Sequence, residues 1–146
     1  MLSKNVLWVD NEPAYVYPFR VALEEEGYNI ILARTLSEAE SFILREDLAL
    51  VILDVMMPVT ELDLAIGYSP DMTLEGSKAG LAFYRRHQQL LASRQIPVII
   101  LTVRIDRRIS DDFVAAGLAR RNILTKYEVH DAEVFLSRIK AVIEGI

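Results

Sequence analysis

The stretch VILDVMMP (51–58) runs three apolar, strand-forming residues straight into an aspartate. An ionised Asp54 beside a core is costly unless something pairs with it or uses it. Comparable polar residues close other apolar runs: Asp10-Asn11-Glu12 follows NVLWV, Thr102 follows IPVIIL, and Lys126 follows NILT. Acids, an amide, a hydroxyl and an ammonium together suit one chemistry. A carboxylate can attack a phosphohistidine or a small phosphodonor and form an acyl phosphate, provided the negative charges brought together are neutralised. Mg²⁺ can do this with octahedral oxygen ligation, for which Asp54, the residues after the first run and several waters offer donors. Lys126 adds a mobile point charge toward phosphoryl oxygens, and Thr102 adds a hydroxyl donor. Taken singly, each residue has an ordinary structural use: Asp10 or Asn11 as a helix cap, Thr102 as a strand-end hydroxyl, Lys126 as a surface charge. Their joint placement is what points to chemistry.

That placement requires the runs that carry them to lie side by side. NVLWV (5–9), NIILA (29–33), LALVIL (48–53), IPVIIL (96–101) and NILT (122–125) are strand-length, rich in Val, Ile and Leu, and bounded by polar residues. The middle three are nearly continuous in apolarity, as burial on both faces of a parallel sheet demands. Helical patterns occupy roughly 14–26, 37–46, 76–93, 107–116 and 129–144. Ser37 with Glu40 suits a capping box, and Gly27 and Gly117 sit where helices stop. Pro18 inside the first helix implies a bend there or a later start. Five βα units in strict alternation predict a doubly wound α/β domain with a five-stranded parallel sheet. In such a domain ligands bind outside the carboxyl ends of the strands. Those ends are where the chemistry-bearing residues fall.

Composition narrows the setting. The chain has 146 residues, 52% of them hydrophobic and 25% charged, enough for one domain over 1–146 with a sizeable core. There is no cysteine, so neither a disulfide framework nor thiolate chemistry is available. No apolar run reaches the roughly 18 residues of a membrane span, and MLSKNVLWVD lacks the build of a signal peptide, so a cytoplasmic protein without a membrane partner is expected. A net charge of −5 argues against general nucleic-acid binding. Glu24, Glu25 and Glu26 gather early, and Arg104, Arg107, Arg108, Arg120 and Arg121 late, the latter expected as a solvated face. His87 and His130 fall on predicted helices as expected surface residues.

The pieces VLWVDNEP, VILDVMMP, IPVIILT and ILTK, in this order, resemble the receiver domain of bacterial response regulators. As a four-part signature the match is specific, and it covers nearly the whole chain. The resemblance implies a flavodoxin-like strand order of 2-1-3-4-5. It implies that Asp54 is the phosphoacceptor, that Thr102 and Lys126 contact the phosphoryl group, and that Mg²⁺ is held by Asp10, Asn11, Asp54 and the backbone carbonyl of Met56. It further implies a signalling switch, here stand-alone. The switch would accept phosphoryl from a histidine kinase or phosphotransfer protein and dock a partner protein through its fourth helix, fifth strand and fifth helix. A homodimer is a further option. The only catalysis implied is its own Mg²⁺-dependent phosphorylation and dephosphorylation.

The chain departs from the family pattern in four places, which makes it atypical. Asn11 replaces the second acid after strand one and removes a negative charge from the metal site, while Glu12 is expected to be a solvated helix-start residue. Tyr127 follows Lys126 where the family often has proline after a cis bond; a cis non-proline bond costs roughly 2.5–4 kcal/mol, so a trans peptide is expected. Ile123 stands where the family commonly has an aromatic switch residue, and suits a core slot. Finally, an insert of roughly 59–75 separates strand three from helix three, far longer than a βα loop of about 2–6 residues. Its Leu62, Leu64, Ile66, Tyr68, Met72 and Leu74 predict an ordered lid, a contact surface or a short helix. Its Glu61, Asp63, Asp71 and Glu75 are expected to be solvated rather than extra site carboxylates. Two alternatives to the phospho-switch stay open: a degenerate receiver acting as a phosphorylation-independent binding module, favoured by Asn11, Ile123 and the insert, and an enzyme on a flavodoxin-like fold. The enzyme is the weakest, since no glycine-rich phosphate loop follows strand one and no His or Cys falls at the strand ends.

Overall fold

A computed structural model describes residues 3–103 and 105–145; Arg104 of the basic cluster lies outside them. Five parallel strands, β1 (Asn5–Val9), β2 (Asn29–Ala33), β3 (Leu50–Leu53), β4 (Val98–Thr102) and β5 (Ile123–Thr125), form one sheet in the order β2-β1-β3-β4-β5. The order and the doubly wound arrangement are those expected. Alternate residues of each strand feed two cores, as the period of two requires. Leu7, Val9, Val51, Leu53 and Ile100 pack under α2 (Leu36–Arg45), α5 (Ala79–Ser93) and α6 (Arg107–Ala115). Val6, Trp8, Ile52, Ile99 and Leu124 pack under α1 (Tyr17–Glu25) and α7 (Ala132–Glu144), where Trp8 stacks on Phe135 at 5.7 Å.

Burial corrects one expectation. Residues 29–33 are as apolar as a central strand, yet β2 is an edge and its middle residues are only half-buried. The interior strand on that side is β1, buried from Val6 to Val9. Continuous apolarity did not distinguish them, because helices on both sides also cover part of an edge strand.

Element boundaries shift for local reasons. Pro18 falls in the first turn of α1, where its missing N–H is harmless, so the α-helix starts at Tyr17 after a 3₁₀ turn over Pro13–Val16. Helix α2 is capped by Thr35, whose side chain accepts from the Glu38 N–H, and not by Ser37 with Glu40. A true capping box occurs instead at Thr60 and Asp63, opening α3 (Glu61–Ala65). With α4 (Pro70–Thr73), α3 makes the insert an ordered pair of short helices between β3 and α5. Gly27 and Gly117 take φ values of +94° and +109°, the left-handed conformation that ends a helix.

Candidate functional site

The strand register brings the strand-end residues together. Val9 pairs with Leu53, so Asp10 and Asp54 are the next residues on adjacent strands, and the Asp54 N–H donates to the Val9 carbonyl at 3.0 Å. Thr102 pairs with Thr125, and the Lys126 N–H donates to the Thr102 carbonyl at 2.8 Å. Four side chains from four strands therefore share one crevice at the carboxyl edge.

Within it, Asp10 is 1% exposed. One of its oxygens accepts from the Glu12 N–H at 2.8 Å, and the other lies 3.1 Å from Lys126 Nζ. Lys126 Nζ is also 3.8 Å from Asp54 Oδ2 and so bridges two carboxylates. Asp54 is 8% exposed, and its Oδ1 accepts from the Val55 N–H at 2.8 Å. Burial pushes the Asp54 carboxyl above its ordinary range, and the charge of Asp10 adds to this. Lys126, a hydrogen bond from Thr102 and the Val55 N–H pull the other way. Thr102 is buried beside it. Asn11 is half-buried next to Asp10, and Met56 follows Asp54 in an exposed position. Glu12 is exposed, as expected. No peptide bond among the described residues is cis, including that joining Lys126 to Tyr127. Ile123 fills a core slot.

Among the described residues no group of three or more His, Cys, Asp or Glu is placed to hold a metal. The two carboxylates of Asp10 and Asp54 stand there, and Asn11 and Met56, one residue after Asp10 and two after Asp54, carry an amide and a backbone carbonyl. This hard-oxygen set fits a weakly held Mg²⁺ that keeps several waters, rather than a caged transition metal. The charge of Asp10 pushes the Asp54 carboxyl up, and a cation between them would add to the relief that Lys126 already gives.

Three sequence expectations change. His87 is buried, not on the surface. Its Nε2 lies 3.4 Å from the Tyr68 hydroxyl and 3.9 Å from Glu40, and burial holds its pKa below the ordinary value. His130 is exposed but sits in the turn before α7 rather than on a helix. Asp63 is neither solvated nor near the crevice: fully buried, it accepts from the backbone N–H groups of Ser37 and Thr60. Glu61, Asp71 and Glu75 are exposed. The exposed Arg107, Arg108, Arg120 and Arg121 form the solvated face anticipated, with Arg120 paired to Asp111 at 2.9 Å.

One residue that matters to the site went unremarked in the sequence. Gly80, in the first turn of α5, donates its N–H to the Val55 carbonyl at 2.9 Å, and a Cβ there would stand 2.1 Å from the Asp54 carbonyl oxygen. A glycine inside a helical run is the signal, because it weakens the helix unless close packing requires it.

No protein-family model matches the chain. A response regulator, GtcR, of Aneurinibacillus migulanus is 28% identical over 125 residues, 86% of this chain and 42% of that protein, so the chain spans less than half of this relative's length. Among solved structures, a CheY-like response regulator receiver domain protein from Methanospirillum hungatei JF-1 is 20% identical, with a TM-score of 0.74 over 99% of this chain and 96% of that one. The beryllofluoride-activated NtrC4 receiver domain dimer is 28% identical, with a TM-score of 0.70 over 97% and 98% of the two chains. A response regulator from Burkholderia pseudomallei, solved with a phosphorylated aspartic acid, calcium ion and citrate, is 18% identical, with a TM-score of 0.69 over 98% of this chain and 70% of that one. By the order of its sheet and by these likenesses, the chain has the fold of response-regulator receiver domains.

Proposed function

We propose that the chain, as one receiver-like domain over 1–146, is a signalling switch that accepts a phosphoryl group on Asp54. The observation that carries this reading is the convergence on Asp54 of Asp10, Thr102 and Lys126 from three other strands, in a crevice where burial alone would not favour an acid. Asp54 attacks the phosphorus of a histidine kinase or phosphotransfer protein's phosphohistidine, and the imidazole leaves. Lys126 lies close enough to shift from Asp10 toward the new phosphoryl oxygens, and the Thr102 hydroxyl donates to one of them. Asp10, Asn11, Asp54 and the Met56 carbonyl would hold Mg²⁺, which when bound neutralises the charge of the phosphoryl oxygens. The solved relative carrying a phosphorylated aspartic acid and calcium, and the beryllofluoride-activated one, support both the acceptor and the divalent ion.

The added charge of about −1.5 to −2 then biases the surface formed by α6, β5 and α7 for an output partner. The dimeric NtrC4 receiver makes a homodimer part of the reading. The chain is not otherwise an enzyme in this reading, and neither nucleic acid nor membrane is a partner. Residence is cytoplasmic; no helix among the described residues is long and apolar enough to cross a membrane. The test is to add acetyl phosphate, or beryllofluoride, with Mg²⁺ and follow intact mass and Trp8 fluorescence. Trp8 is buried against Phe135, two residues before Asp10. Modification lost in Asp54→Asn is the expected outcome; a wild-type chain unchanged at saturating Mg²⁺ would sink the proposal.

A further inference from the structure

The insert between β3 and α5 is tied down at three places, and its last tie falls on the loop that follows Asp54. At its entry, Asp63 uses both carboxylate oxygens: Oδ2 accepts from the Thr60 N–H at 2.9 Å and Oδ1 from the Ser37 N–H of α2 at 2.8 Å. Bonds from backbone N–H to a buried carboxylate are among the stronger ones. In the middle, Tyr68 is buried beneath the Arg86 guanidinium, which stands 4.6 Å from its ring centroid and donates to the Ile66 carbonyl at 2.6 Å. The Tyr68 hydroxyl meets His87, whose other neighbour Glu40 also pairs with Arg86.

At its exit the chain makes a left-handed turn through Leu74, Glu75 and Gly76, with φ values of +46°, +55° and +98°. Two of these residues carry a Cβ, so the turn is strained and persists only because its surroundings hold it. The turn delivers the Gly76 carbonyl to the Met57 N–H at 3.0 Å, and a Cβ on Gly76 would stand 2.4 Å from the Met57 carbonyl oxygen. Four residues on, at the second position of α5, Gly80 holds the Val55 carbonyl. The peptide units on both sides of Met56 are therefore fixed by the end of the insert, and with them the position of the Met56 carbonyl.

We infer that the insert is a clamp that sets the geometry of the Asp54–Met57 loop, with Asp63 and Tyr68 as positioning residues acting through the Gly76 turn. The clamp stands on backbone geometry; its consequence for metal and phosphoryl binding rests on the function proposed above. The test measures amide hydrogen exchange residue by residue in the whole chain. Asp63→Ala is expected to speed exchange at Met57 and Gly80 about tenfold, the size of losing a hydrogen bond to a charged group, while the amides of β1 and β4 hold their protection. Ser37→Pro removes the donor that α2 offers, together with the Ser37 hydroxyl's contact to Thr35 at 3.1 Å, at a first-turn position where proline is tolerated, and is expected to act in the same direction if Asp63→Ala fails to fold. Tyr68→Phe, which keeps the ring under Arg86, should stay close to wild type, whereas Tyr68→Ala should not. Faster exchange confined to residues 61–74, with Met57 and Gly80 unchanged, would overturn the clamp. In the same samples Mg²⁺ and beryllofluoride should bind several-fold more weakly to Asp63→Ala than to Tyr68→Phe. A wild-type chain that binds neither would defeat the proposed function, while the exchange pattern still decides the clamp.

Discussion

Gly80 lies against Asp54 so closely that a single added methyl group would stand 2.1 Å from the Asp54 carbonyl oxygen. The first turn of α5 is thus seated directly on the backbone of the residue proposed to take the phosphoryl group. Gly80→Ala must push the helix or the loop away, and overpacking against backbone finds no flexible side chain to give. A loss of about 3 kcal/mol is expected, at the upper end for overpacking, together with loss of beryllofluoride binding. Urea denaturation with unchanged stability would show that the helix can slide without cost.

Lys126 bridges Asp10 and Asp54 at 3.1 and 3.8 Å. Lys126→Met keeps much of the stem and removes the ammonium, leaving two neighbouring buried carboxylates without their cation. Stability at pH 7 should fall by about 2–4 kcal/mol. The loss should shrink at an acidic pH, where Asp54, its pKa raised by burial, takes up its proton. Denaturation curves at the two pH values check both parts, and an equal loss at both would remove Lys126 from the charge balance.

Asp54 has its pKa raised from an ordinary 3.8 by burial and by Asp10. The folded chain therefore binds this proton more readily than the unfolded chain. The resulting stability is fully present below about 3.8 and is lost as pH rises through the raised value. At neutral pH the ionised acid weakens the fold, so Asp54→Asn should raise Tm. The gain should narrow on acidification, as calorimetry at several pH values would show. A lower Tm for Asp54→Asn at pH 7 would contradict the assignment.

His87 behaves oppositely. Burial, with help from Arg86, holds its pKa below 6.5, against the pull of Glu40. Here the unfolded chain takes the proton first, so stability is full above about 6.5 and is lost as pH falls through the lowered folded value. His87→Gln should flatten this part of the stability profile without moving the part due to Asp54. Since His87 meets Tyr68, exchange in the insert should report its protonation before the sheet does.

What the sequence determined by itself was whatever depends on residues near one another in the chain. Val, Ile and Leu runs bounded by polar residues mark the five strands, and the residue after each run lands at the carboxyl edge wherever the strand lies, so Asp10, Asp54, Thr102 and Lys126 could be read in advance. The left-handed stops at Gly27 and Gly117, the late start of α1 at Pro18 and the core use of Ile123 were legible for the same reason. Tertiary structure decided everything that depends on which distant segments meet. The apolar run at 29–33 became an edge because of where the sheet ends, and His87 was buried because the insert folded over it. Asp63 became an anchor because the N-terminus of α2, 26 residues earlier in the chain, offered it an N–H, and Gly80 mattered because α5 touches the backbone of Asp54. Local periodicity carries hydrophobic burial, which needs no particular partner, whereas a hydrogen bond or a close backbone approach has a direction and a range that only the assembled fold supplies.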